Sequence, residues 1–220
     1  MNHFNHLRRV YAMILIAIGF SNMSFQNPIS IPPIEAPFEG VITYQHTVKT
    51  KNPMGSTSRS SKFFIKGNMY RSETATNDIR AIEIYSGQDS LFTYSIPNLK
   101  CVWFSDVRAN KEVVLETKIA ENAATVMNIS CHILTVKTAS MTIHYYFHPD
   151  KFKSNAALFQ HHQLKHWNTC LEKAKGSLPL KIVYDYPNVT IEMEAVTTET
   201  KKLDRWFFKP PYDKRFVKAG

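Results

Sequence analysis

The stretch LKIVYDYPNVTIEMEAVT, residues 180–197, decides the fold class. Apolar and polar side chains alternate along both of its halves, which is the two-residue period of a β-strand with one buried face. Pro187 and Asn188, between the halves, are typical turn residues. The stretch therefore predicts two antiparallel strands joined by a tight turn. Its alternating apolar side chains are Leu180, Ile182, Tyr184, Val189, Ile191 and Met193.

The same alternation recurs toward the N-terminus, and the whole chain predicts about nine or ten strands joined mostly by short turns. Residues 51–61, which contain Pro53, Gly55 and several serines, interrupt the alternation and are predicted to form a loop. The other predicted strands cover residues 41–48, 63–69, 81–85, 90–94, 99–104, 128–136 and 141–147.

The period changes to three and four residues within residues 163–175, which predicts one short helix. Gly176 and Pro179 follow it and are typical of a helix end. A large antiparallel sheet must cover its apolar face, either by closing into a barrel or by packing the helix and loops against it. The predicted class is therefore mainly β (α+β): a large curved antiparallel sheet or half-open β-barrel, with one short helix packed as a plug.

The N-terminus predicts export. Arg8 and Arg9 precede the apolar run Val10–Phe20, which is too short for the roughly 20 residues of a membrane-spanning helix and suits a secretory signal. We predict a signal peptide over residues 1–24, a proline-rich extended tether over 25–37, a single β-rich domain over 38–211 and a basic tail over 212–220. The expected location is periplasmic or secreted.

The formal net charge is +9, with a local concentration of basic residues between Lys209 and Lys218. This charge is consistent with a solvated basic surface or with attraction to an anionic membrane surface. No nucleic-acid partner is expected, because the chain shows no binding motif for one. The oligomeric state is open, with a monomer favoured.

Three cysteines in an exported chain allow one disulfide and one free thiol, in three pairings. We favour Cys101 with Cys131, because both lie in strand-like runs on the apolar face, whereas Cys170 lies in the helical pattern. Buried free thiols are the alternative.

The histidine-rich segment 161–166 is the best metal candidate, since His162 and His166 would share a helical face. Zinc needs three or four ligands, and the others would have to be remote, such as His144, His148 or Asp150. We expect ordinary polar surface histidines and no metal. No cofactor motif or nucleophile signature is present in the sequence, so we expect no enzyme activity.

Three short motifs occur in order along the chain: FEGVITY at 38–44, FIKGNMYR at 64–71 and GSLPLK at 176–181. With Cys131 at the head of a strand and the closing stretch from Ala195 to Pro210, they resemble a family of exported Bacteroidetes-type proteins. That family is related to the outer-membrane lipoprotein carrier (LolA/LolB-like) superfamily. The resemblance covers residue 38 to about residue 211. It implies a half-open antiparallel barrel with a helical plug, in a superfamily whose relatives carry acyl chains across the periplasm.

A concave apolar sheet can bind a hydrophobic ligand such as a lipid or acyl chain. The alternative is an envelope interaction module with a filled core, which binds proteins or surface polymers. The side chains predicted to line the ligand site are Ile42, Tyr44, Phe63, Ile65, Met69, Trp103, Ile143, Tyr145 and Trp167.

Overall fold

A computed structural model describes residues 36–51, 54–76, 79–109 and 112–219. The predicted signal peptide and nearly all of the predicted tether lie outside these residues. No helix in the described part of the chain is long and apolar enough to cross a membrane.

The described residues form one sheet of twelve strands. In chain order they are β1 (Gly40–Lys51), β2 (Met54–Lys66), β3 (Met69–Thr76), β4 (Ile79–Ser86), β5 (Leu91–Ser95), β6 (Cys101–Asp106), β7 (Glu116–Val126), β8 (Ile129–Lys137), β9 (Thr142–Phe147), β10 (Lys181–Asp185), β11 (Val189–Thr200) and β12 (Arg215–Lys218).

The sheet consists of two consecutive antiparallel runs, β1 to β6 and β7 to β11, joined where β1 pairs with β11. The full order is β12-β6-β5-β4-β3-β2-β1-β11-β10-β9-β8-β7, and every neighbouring pair is antiparallel except β12 with β6. The two edge strands, β12 and β7, do not pair with each other, so the curved sheet stays open. The predicted fold class is confirmed.

One face of the sheet, which we call the inner face, carries the core. Alternation along the strands sends every second side chain to this face, so neighbouring strands contribute rows of apolar residues. Burial of large side chains of this kind is the main term that stabilises the fold. Fully or nearly fully buried examples are Ile42, Tyr44, Ile65, Tyr85, Leu134, Ile143 and Tyr145.

The inner face is covered by residues 148–180, which connect β9 to β10 and which we call the plug. The plug contains α1 (Trp167–Lys173), and Trp167 and Leu171 of this helix are buried. Two tyrosine hydroxyls fasten the plug to the sheet: Tyr44 donates to the Pro179 carbonyl at 2.7 Å and Tyr145 donates to the Ser177 carbonyl at 2.8 Å. The short helix predicted from the sequence is confirmed, and it is the one α-helix within the residues that the structure describes.

The helix begins later than its periodicity predicts. Lys165 and His166 have φ values of 51° and 54°, in the left-handed region, so the helical backbone starts only at Trp167. The segment after the helix turns at Gly176, where φ is +83°. A Cβ atom there would lie 2.1 Å from the carbonyl oxygen of Ser154, so the turn requires glycine.

Four segments differ from the prediction because strand pairing does not need an apolar pattern. The predicted loop at 51–61 is wrong: β2 begins at Met54, and its serine-rich half pairs with β1. Strands β3, β7 and β12 were not predicted. The sequence of β3 is mostly polar, and the side chains of the edge strands β7 and β12 are mostly exposed and do not alternate. In β12, residues Arg215–Lys218 of the predicted basic tail pair in parallel with β6.

The predicted Cys101–Cys131 disulfide is not formed. All three cysteines are free. Cys101 begins β6 and Cys131 lies in β8, and nine steps of the strand order separate these two strands. Cys170 lies in α1 as predicted, and burial raises the pKa of its thiol to about 12.

Candidate functional site

A cavity of about 140 Å³ lies between the plug and the inner face of the sheet. Strands β1 to β5, β10 and β11 supply one wall, and the plug supplies the other. Most of the surface is apolar, as expected of a small-molecule site. The aromatic side chains of the lining are Tyr44, Phe63, Tyr70, Phe92, Trp167 and Tyr184.

The aromatic rings contact one another across the boundary between sheet and plug. The Phe63 ring centroid lies 5.0 Å from that of Tyr70 and 5.9 Å from that of Trp167, and Tyr70 and Trp167 are 6.1 Å apart. Centroid separations of this size are those of favourable aromatic pairs. These contacts fix Trp167, and with it the start of α1, against the strands that face it.

Two buried histidines add polar contacts to the lining. His162 Nε2 lies 2.8 Å from the Tyr70 hydroxyl, and His46 Nε2 lies 2.6 Å from Ser61 Oγ. Burial lowers the pKa of each imidazole to about 4. The positive charges of Arg59 and Lys165 lower the pKa of His46 further. Both imidazoles are therefore neutral at pH 7, and the interior of the cavity carries no charge from them.

Three charged side chains line the first cavity where it opens to solvent. Arg59 and Lys165 are exposed, Glu83 is half-buried, and none of the three forms an ion pair with another described residue. The Lys165 ammonium lies 5.2 Å from the ring centroid of Tyr184. The lining thus combines aromatic walls with two cations and one carboxylate.

A second cavity of about 360 Å³ lies beside the first, along β2, β3 and β4. Both cavities are lined by Arg59, Thr74 and Glu83, and the second adds Ile79 and Tyr94 among others. Since the two cavities adjoin at these three residues, we call them together the inner-face groove, with an aromatic end beneath the plug and a more polar end at the start of β4. Such a shape accommodates an elongated molecule better than a compact one.

The nine predicted lining residues separate into three groups. Tyr44, Phe63 and Trp167 line the first cavity. Four others are buried in the hydrophobic core without lining it: Ile42, Ile65, Ile143 and Tyr145. Met69 and Trp103 are only half-buried.

Met69 lies on the opposite face of the sheet from Ile65, although the alternation predicted the same face. The two-residue turn at Gly67 and Asn68 pairs Lys66 with Met69 and Ile65 with Tyr70, so Tyr70 takes the inner position. Trp103 does face inward, but it lies on β6 beyond the first cavity. Its ring centroid is 5.9 Å from that of Tyr94, which lines the second.

The sequence prediction missed several polar residues of the lining, among them His46, Arg59 and Glu83. Each of these lies on a strand at an inward position, so continued alternation from Tyr44 was a usable signal for His46. The prediction of surface histidines at 162 and 166 is wrong, since these two residues are only 2% and 4% exposed. Among the described residues no three His, Cys, Asp or Glu side chains are grouped as a metal site would require.

No family model and no curated protein matches the sequence. Among solved structures, an uncharacterized conserved protein from Thermus thermophilus is 10% identical, with a TM-score of 0.49 over 80% of this chain and 90% of its own. A LolA superfamily protein from Nitrosomonas europaea is 6% identical, with a TM-score of 0.42 over 80% and 91%. An outer membrane lipoprotein-sorting protein domain from Vibrio parahaemolyticus is 8% identical, with a TM-score of 0.37 over 78% and 89%.

Proposed function

We propose that the protein is a non-enzymatic binder or carrier of an apolar ligand, a lipid or acyl chain, which lies in the inner-face groove. The observation that supports this most is that the aromatic cavity beneath the plug adjoins the second cavity along β2 to β4, since both are lined by Arg59, Thr74 and Glu83. An apolar chain buried there gains about 0.8 kcal/mol for each methylene group removed from water.

The size of the two cavities supports an elongated ligand. The first cavity, at about 140 Å³, is close in volume to the roughly 150 Å³ of an engineered apolar cavity that binds benzene. The first cavity therefore holds one end of a chain rather than a whole lipid. The second cavity, at about 360 Å³, falls within the roughly 300–1,000 Å³ of ordinary ligand sites and holds the rest of the chain.

The proposed location is the bacterial envelope, periplasmic or secreted. It rests on the basic and apolar N-terminal pattern of Arg8 to Phe20. N-terminal sequencing of the protein recovered from the envelope tests it, with a new N-terminus near residue 25 expected. Recovery of the intact N-terminus from the cytoplasm would contradict it.

The first test of the binding proposal is native mass spectrometry of the protein purified from its own envelope, followed by organic extraction and lipid analysis. We expect a lipid that co-purifies stoichiometrically. A mass equal to the polypeptide alone, with no uptake of a fluorescent fatty acid, would contradict the proposal and favour the interaction module.

A matched pair of variants places the ligand. Thr74 lines both cavities, whereas its neighbour Ala75 is exposed and points to the other face of β3. The substitution Thr74→Trp fills the groove where the cavities meet and is expected to abolish lipid co-purification. Ala75→Trp adds the same ring outside the groove and is expected to leave it unchanged. Equal occupancy in both variants would place the ligand elsewhere.

A further inference from the structure

The face of the sheet opposite the groove, which we call the outer face, is crossed by residues 201–218. This C-terminal segment contains a 3-10 turn at Arg205–Phe208 and ends with β12 beside β6. Its position is fixed: the Phe207 ring centroid lies 4.8 Å from that of Phe64, and Arg71 Nη1 donates to the Phe207 carbonyl at 3.0 Å. These two contacts hold the segment against the outer face.

The segment exposes three large aromatic side chains. Trp206 is 68% exposed, Tyr212 is 69% exposed and Phe216 is 42% exposed. Trp206 is held in place, because its backbone N–H donates to the Asp204 carboxylate at 2.9 Å and the Lys209 ammonium lies 3.6 Å from its ring centroid. Tryptophan and tyrosine concentrate at membrane interfaces, where an aromatic ring and a polar group both find suitable surroundings.

The segment is also strongly basic. It contains seven lysine and arginine residues against two aspartates, a net charge of +5. Six of the seven are exposed, and the seventh, Lys214, donates to the Ile96 and Pro97 carbonyls. Positive charge beside exposed aromatic rings is the combination that binds anionic lipid surfaces. The exposed basic residues are Lys201, Lys202, Arg205, Lys209, Arg215 and Lys218.

An apolar cavity of about 270 Å³ adjoins the segment on the outer face. The pairing of Ile84 with Thr93 and of Thr93 with Phe104 places it on the face opposite Tyr85 and Phe92. It is thus separated by the sheet from the inner-face groove. The segment itself supplies part of its wall through Phe208, Pro210 and Phe216.

We propose that the C-terminal segment and the adjoining cavity form a docking surface for an anionic lipid bilayer. The exposed lysines and arginines contact the headgroups, and Trp206, Tyr212 and Phe216 lie at the interface. The cavity accepts an apolar group from the bilayer. This surface is independent of the ligand groove, because it lies on the other face of the sheet and uses different residues.

The test is sedimentation of the processed protein with lipid vesicles at low salt. Vesicles of phosphatidylcholine and phosphatidylglycerol in equal parts are compared with vesicles of phosphatidylcholine alone. We expect binding to the mixed vesicles only, and its loss at high salt. The double variant Arg205→Gln and Lys218→Gln is expected to weaken binding roughly 30-fold, since each charge near an anionic surface contributes about 1 kcal/mol. Lys218 pairs with Phe104 and so belongs to the outer face.

A charge-matched control is the double variant Lys118→Gln and Lys137→Gln, which removes two exposed lysines at the opposite end of the sheet. It is expected to bind as the unmodified protein does. Trp206→Ala with Tyr212→Ala is expected to weaken binding roughly tenfold or more without changing the thermal unfolding midpoint. The proposal is overturned if the two charge variants lose equal amounts of affinity for the mixed vesicles, or if the unmodified protein does not bind those vesicles at low salt. Either result would favour a protein as the partner of this segment.

Discussion

Mild acid is expected to destabilise the protein because two of its histidines are buried and neutral. Burial lowers the pKa of His46 and His162 from 6.5 to about 4 in the folded state. In the unfolded chain both imidazoles return to a pKa near 6.5. Between these values the unfolded state binds more protons than the folded state, so the free energy of unfolding falls as the pH falls.

The size of this effect follows from the two pKa values. At about pH 7.5 both states are almost entirely neutral at these positions, and the full stability is present. At about pH 5 each unfolded imidazole is mostly protonated and each folded one is mostly neutral, which removes about 2 kcal/mol per histidine. The two together lower the free energy of unfolding by about 4 kcal/mol, a large part of the stability of an ordinary domain.

Urea unfolding between about pH 7.5 and pH 5 measures the effect, with circular dichroism as the signal. The variant His162→Gln cannot titrate at this position, so it is expected to lose about half of the pH dependence, whatever its stability at neutral pH. The exposed neighbour His161 provides the control: His161→Gln should keep the full dependence. A pH-independent midpoint, or equal slopes for His162→Gln and the unmodified protein, would refute the assignment of buried neutral imidazoles.

Three further outcomes test the fold. Tyr145→Phe removes the hydrogen bond to the Ser177 carbonyl and leaves that acceptor buried without its partner. Urea unfolding should therefore show a free energy of unfolding lower by about 1–3 kcal/mol. A decrease smaller than the error of the measurement would contradict this hydrogen bond. Gly176→Ala should prevent stable folding, because its Cβ would lie 2.1 Å from the Ser154 carbonyl oxygen. In Gly67→Ala the new Cβ meets nothing within 4 Å, so the free energy of unfolding should fall by only about 1–2 kcal/mol, the cost of the positive φ. Equal thermal midpoints for the two variants would refute this contrast. A thiol reagent should label the half-buried Cys101 first in the native protein, and all three cysteines once the protein is unfolded without reductant. Two cysteines that stay unreactive in the unfolded protein would show that they form a disulfide, contrary to the structure.

The salt bridges of β11 show where a local pattern is sufficient. Glu192 and Glu194 alternate with Ile191 and Met193, so the two-residue period alone places both carboxylates on the face opposite the core. In the structure Lys181 on β10 lies 2.5 Å from Glu192 and 2.7 Å from Glu194. The two-residue period determines the face of a side chain within one strand, and β10 and β11 are joined by the short turn that the sequence also predicts.

Across a turn, the same period is not sufficient. The sequence predicted Met69 on the same face of the sheet as Ile65. The two-residue turn at Gly67 and Asn68 instead pairs Ile65 with Tyr70, so the inward positions are odd-numbered before the turn and even-numbered after it, and Tyr70 lies on the inner face. Tyr70 then contacts Phe63, Trp167 and His162, and so becomes central to the candidate site. A strand register decides such contacts, and register depends on the turn geometry rather than on the hydrophobic pattern alone.

The sequence by itself determined the fold class: alternation predicted most of the strands, a change of period predicted the short helix, and glycine with proline marked the end of that helix. These are local signals, since each depends on residues a few positions apart. Only the tertiary structure decided which residues meet in the groove and on the outer face. The pairing of β1 with β11 and the packing of the plug join residues more than a hundred positions apart. Burial then makes His162 a neutral core residue, while the same packing leaves Trp206 on the surface, because exposure is a property of the assembled fold.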